Sequence, residues 1–157
     1  MDNTYGIQLR HPLPGDLVGL KITIAAIGTA FEASYGWRLI NGPTVLAEGF
    51  FQASSMGLME AFVHEASVSF SHLGPATFQL FGDDPSGEHP PGLDLTELSV
   101  ILIPGMVGYQ IHQVVAGETL TSIAREAGST VDSIVAANQL PNPDLIRVGQ
   151  ILRVPIM

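Results

Sequence analysis

The C-terminal third of the chain carries helical patterns enclosed by extended runs, and this order leaves few folds open. Residues 110–115 are rich in β-branched side chains, which suit a strand. Thr119 is placed to cap a helix that Gly128 would end. The apolar residues between them recur at three- and four-residue steps, as one buried stripe requires: Leu120, Ile123, Ala124 and Ala127.

A second helical pattern follows directly. Ser129 or Thr130 is placed to cap it, and the proline-rich segment 141–143 blocks its continuation. Leu152 and Val154 then supply a closing strand. The inward-facing residues of the second helix are expected to be Val131, Ile134 and Val135. The sequence therefore predicts a small α+β unit with the order βααβ.

Asn138 falls on the inward face of the second helix. A buried amide must find hydrogen-bond partners, or its desolvation costs about 1–3 kcal/mol. We therefore interpret Asn138 as structural and expect it to hold the loop that follows it.

This region resembles a LysM domain, a module that binds N-acetylglucosamine polymers. His112 stands where the family usually has an aromatic residue, Glu118 where aspartate is commoner and Val154 where isoleucine is commoner. The resemblance rests on residues in the family's order and spacing: Val114, Gly117, Glu118, Thr119, Leu120, Ile123, Ala124, Asn138, Ile146, Gly149, Gln150, Leu152 and Pro155.

The resemblance implies a sugar groove between the first strand-helix loop and the loop before the last strand. An acetamido sugar offers an amide, hydroxyls and a methyl group, which suit backbone groups beside small apolar contacts. The glycan-binding residues carried over by motif match are Gly117, Glu118, Thr119, Leu120, Asn142, Pro143, Asp144, Leu145 and Ile146. Some LysM-like folds serve only as assembly modules, so a purely structural role for the unit stays open.

Residues 5–103 contain about seven extended runs separated by turn signals, which predict a mainly β sandwich. Alternation places Tyr35, Trp37 and Leu39 on one face of a run, and Asn41-Gly42-Pro43 is typical of a tight antiparallel connection. Trp37 is interpreted as a core anchor. We predict a sandwich domain at 1–104, a linker at 105–108 and the βααβ domain at 109–157.

The sandwich region also resembles the immunoglobulin-like domain found in bacterial spore-germination and related surface proteins. That family implies a fold and an association outside the cytoplasm, without catalytic residues. The resemblance rests on the segments Pro12 to Asp16, Gly28 to Ala33, Val45 to Phe50 and Asp83 to Gly87, and on Gly57 with Phe62.

Charge and composition exclude several classes of function. The net charge is −9, from 6 basic and 15 acidic residues, so a nucleic acid partner is not expected. Charged residues make up 13% of the chain against about 25% in ordinary soluble proteins, so the surface is unusually neutral. That neutrality suits carbohydrate or protein contacts. With no apolar run of about 18 residues and no signal-peptide pattern at the start, we expect no membrane insertion.

Residues that suggest chemistry are better explained without it. Cysteine is absent, which excludes thiolate catalysis and Cys-based zinc sites. Asp83, Asp84 and Glu88 are interpreted as a solvated turn, since they lack a calcium-loop pattern. The histidines lack metal-ligand spacing: His11, His64, His72, His89 and His112. We predict no metal, no cofactor and no enzymatic activity.

Two functional hypotheses remain. In the first, the LysM domain attaches the protein to peptidoglycan or a chitin-like glycan, and the immunoglobulin-like domain acts as a spacer or binds a partner. In the second, both domains are packing modules of a surface filament or phage-tail-like particle, with protein neighbours or self as partners. The first predicts a location in the cell wall or outside the cell, although no signal peptide is recognised; the second predicts a particle assembled in the cytoplasm.

Overall fold

The computed structural model describes residues 5–53 and 58–157, and within them the chain forms ten strands and two α-helices. Gly57, one of the residues that carry the second resemblance, lies outside the described residues. The described residues up to 102 contain eight strands and a 3₁₀ turn at Phe31–Ala33: β1 (Gln8–His11), β2 (Leu17–Val18), β3 (Lys21–Gly28), β4 (Ser34–Asn41), β5 (Thr44–Gln52), β6 (Glu60–Ser67), β7 (Gly74–Gly82) and β8 (Leu93–Leu102).

Two sheets form the predicted sandwich. One has the order β1-β3-β6 and the other the order β2-β8-β7-β4-β5, with β2 parallel to β8 and the remaining neighbours antiparallel. The short β2 brings the count to eight strands, one more than the sequence pattern suggested. The two inner faces meet in one core, whose most deeply buried members include Ile24, Tyr35, Leu39, Phe78, Leu80, Val100 and Leu102.

Trp37 is a core residue, as predicted, and its side chain is 4% exposed. It pairs in register with Gly49 of β5, and a Cβ at Gly49 would lie 2.8 Å from the indole. Glycine at this position therefore gives the ring its space. The predicted tight connection is also confirmed, because Asn41 pairs with Thr44 across a two-residue loop.

The C-terminal third has the predicted order of strand, two helices and strand. It consists of β9 (Gly108–Gln113), α1 (Leu120–Ala127), α2 (Val131–Asn138) and β10 (Ile151–Ile156), with β9 and β10 antiparallel. Thr119 caps α1, Gly128 ends it in the left-handed conformation, and Thr130 caps α2. The helices pack on the strands through Val114, Leu120, Ile123, Ala124, Ile134, Leu152 and Val154.

The sandwich and the βααβ unit share a packed seam. Outside both cores, Ile101, Ile103 and Met106 form a buried cluster with Ala137 of α2. The Nη1 group of Arg153 on β10 donates a hydrogen bond of 2.7 Å to the carbonyl of Gly15, in the turn before β2. Arg153 Nη2 donates to the carbonyl of Ala137 at 2.6 Å. The helical unit is therefore fixed against the sandwich by apolar contacts and by an arginine.

Candidate functional site

The loop before α1 is held by reciprocal capping bonds. Thr119 Oγ1 accepts a hydrogen bond from the amide of Ser122 at 3.1 Å, and Ser122 Oγ accepts one from the amide of Thr119 at 3.0 Å. Two of the free amides at the helix start are thereby satisfied. The cap fixes the direction in which the chain enters α1, and so the position of one wall of the site.

Glu118 fixes the other end of the same loop. Its Oε1 accepts hydrogen bonds from the amide of Val115 at 2.7 Å and from Nε2 of His112 at 2.9 Å. These bonds, that of Val115 first, lower the pKa of the Glu118 carboxyl below its ordinary value. His112, which replaces the family's usual aromatic residue, therefore anchors the loop through a polar contact.

The second wall is the segment between α2 and β10. Asn142 Oδ1 accepts a hydrogen bond from the amide of Asp144 at 2.9 Å, and the carbonyl of Asn142 accepts one from the amide of Leu145 at 3.2 Å. These local bonds form a turn of the kind that asparagine side chains favour. Ile146 then packs against the helical core and ties the turn to the body of the unit.

The two walls enclose a cavity of about 290 Å³. Of the nine predicted site residues, six line it together, whereas Gly117, Asn142 and Leu145 lie outside its lining. Thr121 and Val131 were not predicted, because Val131 was assigned to the core and Thr121 lies one position beyond the predicted loop. The cavity, called the groove below, is lined by Glu118, Thr119, Leu120, Thr121, Val131, Pro143, Asp144 and Ile146.

The groove combines an aliphatic floor with polar rims. Leu120, Val131 and Ile146 provide the apolar surface, and the hydroxyl of Thr121 and the carboxylate of Asp144 provide hydrogen-bonding groups. None of the eight lining residues is basic. The groove therefore suits a neutral ligand that carries both hydroxyl groups and small apolar groups.

Asn138 has a different partner from the one predicted. Its Nδ2 donates to the carbonyls of Ile134 at 2.8 Å and Arg153 at 2.7 Å, and its Oδ1 accepts from the amide of Arg153 at 2.8 Å. The amide thus joins α2 to β10, and the expectation that it holds the following loop is wrong. The expected structural role is correct, because the side chain lies outside the groove.

Other polar clusters have structural explanations. Asp84 accepts hydrogen bonds from Ser86 and His89, which hold the pKa of its carboxyl at about 2 and fix a turn. His64 stacks on Phe51, with ring centroids 4.2 Å apart. Across the described residues, no group of three or more His, Asp or Glu side chains is arranged to hold a metal ion.

Protein-family models match both the sandwich and the βααβ unit. A family model described as the immunoglobulin-like domain of bacterial spore germination matches residues 6–88, more than half of the chain, and the LysM domain model matches residues 112–155. The chain belongs to the spore-germination immunoglobulin-like family and carries a LysM domain. Neither matching model describes a catalytic domain.

Three curated relatives are similar to parts of this chain. The N-acetylmuramoyl-L-alanine amidase XlyA of Bacillus subtilis is 51% identical over 130 residues, 80% of this chain and 40% of its own length. The secreted LysM effector ECP6 of Passalora fulva is 47% identical over 55 residues, 34% of this chain and 23% of its own length. The cortical fragment-lytic enzyme of Bacillus subtilis is 43% identical over 47 residues, 30% of this chain and 11% of its own length. The chain thus spans less than half the length of each of these relatives.

Within residues 5–53 and 58–157, neither helix has the length and apolar character needed to cross a membrane.

Acid is expected to weaken the LysM domain through Glu118. A carboxylate whose folded pKa lies below its unfolded value stabilises the fold fully above the unfolded pKa, and this stabilisation is lost as the pH falls through the folded pKa. The loss should therefore begin below the ordinary value of 4.5. Helical circular dichroism during thermal unfolding, between about pH 2 and pH 7, measures it. Glu118→Gln keeps an oxygen acceptor without the charge and should show a smaller dependence; equal dependence in both proteins would contradict this assignment.

Proposed function

We propose that this chain is a non-enzymatic binding protein whose LysM groove attaches to peptidoglycan or another N-acetylglucosamine polymer. The observation that supports the proposal is the groove itself, a cavity between the two loops where we expected a sugar site from the sequence. The name of the amidase relative refers to an N-acetylmuramoyl group, and an acetamido sugar is the chemistry that this groove suits. The amidase activity in that name is not proposed for this chain.

The chemistry of the groove supports an uncharged acetamido sugar. The methyl group of the sugar would contact the aliphatic floor, and its hydroxyl and amide N–H groups would meet the carboxylate of Asp144 and the hydroxyl of Thr121. A carboxylate on the ligand would face Glu118 and Asp144 without a basic partner among the lining residues. Neutral stretches of the polymer should therefore bind best.

The immunoglobulin-like domain is proposed to act as a spacer or to bind a partner. The seam supports the spacer role, because Arg153 and the cluster around Met106 hold the LysM groove in one orientation relative to the sandwich. A division into domains at 1–104 and 109–157 joined by a short linker is part of this proposal. So is a location in the cell wall or outside the cell, in keeping with the relative that is named as a secreted effector.

Filling the groove tests the proposal. Thr121 lies exposed on α1 at the groove wall, so Thr121→Arg places a large side chain in the cavity without touching the core. We expect binding to insoluble chitin and peptidoglycan in co-sedimentation to weaken at least about tenfold, equivalent to about 1.4 kcal/mol. Thr44→Arg, at an exposed position on the sandwich, is the matched control and should bind normally. Equal retention of both variants, or no retention of the unmodified protein, would overturn the proposal.

The second candidate function is that of a subunit in a larger assembly. It is favoured by Phe50 and Val63, which are 69% and 75% exposed on β5 and β6, the outer strands of the two sheets. Exposed apolar side chains on edge strands favour pairing between chains. Large assemblies in the same co-sedimentation samples, without retention on glycan, would support this function. Assembly together with retention would instead supply the multiple copies that strengthen weak binding.

A further inference from the structure

A second and larger cavity lies where the LysM domain meets the sandwich. It is a shallow depression of about 580 Å³ that is more open to solvent than the groove, and it is called the seam cavity below. Leu73, Gly74 and Pro75, before and at the start of β7, form its wall on the sandwich side. Residues of α2 form the opposite wall, among them Asp132 and Val135. Neither domain alone supplies both walls.

The lining of the seam cavity resembles that of the groove in chemistry. Leu73 is 39% exposed and, with Pro75 and Val135, provides an apolar surface open to solvent. Asp132 and Gln139 add an exposed carboxylate and an exposed amide. Within the described part of the chain, no hydrogen bond or ion pair engages either side chain. An apolar surface with a few available polar groups is typical of sites for small organic ligands.

Helix α2 connects the seam cavity to the groove. Val131 lines the groove, while Asp132 and Val135 line the seam cavity. Residues four apart on a helix are neighbours, with Cβ atoms about 5–6 Å apart. A polymer held in the groove therefore lies within a short distance of the seam cavity, across the first turn of α2.

We propose that the seam cavity is a further subsite for the same glycan chain and binds an additional acetamido sugar with groups from both domains. The inference rests on the proposed function and goes beyond it, because it makes the immunoglobulin-like domain part of the binding site. The carboxylate of Asp132 accepts from sugar hydroxyl or amide N–H groups, and Gln139 donates to or accepts from them. Leu73 and Pro75 contact the acetamido methyl group and the apolar face of the ring.

The seam gives this subsite a fixed shape before any ligand arrives. Ala137, which follows the lining residues Val135 and Ala136 on α2, is fully buried against Ile103 and Met106, and its carbonyl accepts a hydrogen bond from Arg153. The walls of the cavity are therefore held in place by the folded chain. A preformed site avoids the cost of ordering its walls when it binds.

Binding of N-acetylglucosamine oligomers of increasing length, from the dimer to the octamer, tests the inference by calorimetry on the full chain. Leu73→Asp alters the sandwich wall without touching the LysM fold, and Val45→Asp is the matched control, because Val45 is similarly exposed and lines neither cavity. We expect Leu73→Asp to weaken the affinity for long oligomers about fivefold relative to the unmodified protein. The affinity for the shortest oligomers that bind should change by less than about twofold. Asp132→Ala should show the same dependence on length. Thermal unfolding of each variant establishes that it is folded.

The outcomes separate this inference from the proposed function. If Leu73→Asp and Val45→Asp bind oligomers of every length as the unmodified protein does, sugar is confined to the groove and the subsite is refuted, while the proposed function stands. If the unmodified protein binds no oligomer and no insoluble glycan, both proposals fall. A loss in Leu73→Asp that is confined to long oligomers supports both.

Discussion

Replacing Asn138 with alanine is expected to lower the free energy of unfolding of the LysM domain by about 3 kcal/mol. The change removes three hydrogen bonds of 2.7 to 2.8 Å, of which two join α2 to Arg153 of β10 and the third reaches the carbonyl of Ile134 within α2. It leaves the amide and carbonyl of Arg153 without their side-chain partner at a partly buried position, and each such group costs about 1–3 kcal/mol. Helical circular dichroism during denaturant unfolding measures the effect, because among the described residues the α-helices lie in the LysM domain.

Two further variants separate the role of the amide from a general sensitivity to mutation. Asn138→Asp keeps an acceptor for the amide of Arg153 but loses the donor to two carbonyls, so its stability should lie between those of the alanine variant and the unmodified protein. Asn142→Ala removes an exposed turn contact and should cost less than about 1 kcal/mol. Equal stability of Asn138→Ala and Asn142→Ala would show that the bonds to β10 do not hold the domain together.

Asn138 also shows where sequence reasoning reached its limit. Its burial and its need for partners followed from the helical pattern, because the period of the helix places it on the inward face. Its actual partner, Arg153, lies 15 residues away on strand β10, and no local sequence pattern identifies it. The helix caps at Thr119 and Thr130 were predictable, since a cap bonds within its own first turn.

The residues that line the groove were likewise predicted only in part. The LysM resemblance supplied six of its lining residues, but Thr121 on α1 and Val131 at the start of α2 line it as well. The sandwich pattern predicted the inner faces of the strands, which alternate locally, but the LysM helix packed beside one of the sheets was not expected. Contacts between elements depend on tertiary geometry, which periodicity does not encode.

Replacing Arg153 with alanine is expected to uncouple the two domains at a cost of about 2 kcal/mol. The guanidinium bridges two carbonyls. One belongs to Gly15 on the sandwich, 138 positions away in the sequence, and the other belongs to Ala137 on α2. Hydrogen bonds from a charged donor are stronger than neutral ones, so the bond to Gly15 contributes more to the seam than one apolar contact does, while the bond to Ala137 holds the guanidinium against α2. The apolar cluster around Met106 remains and keeps the domains adjacent.

The single tryptophan makes this uncoupling measurable. Trp37 lies in the core of the sandwich, so its fluorescence reports unfolding of that domain, while helical circular dichroism reports the LysM domain. The unfolding transitions from the two probes should lie closer together in the unmodified protein than in Arg153→Ala, where the LysM transition moves to lower denaturant. Arg153→Lys keeps the charge but cannot reach both carbonyls with one planar group, so it should show an intermediate separation. An unchanged separation in Arg153→Ala would mean that the apolar cluster alone couples the domains. If separation widens and binding of long oligomers falls with it while short ones bind normally, the seam holds the walls of the second subsite in register.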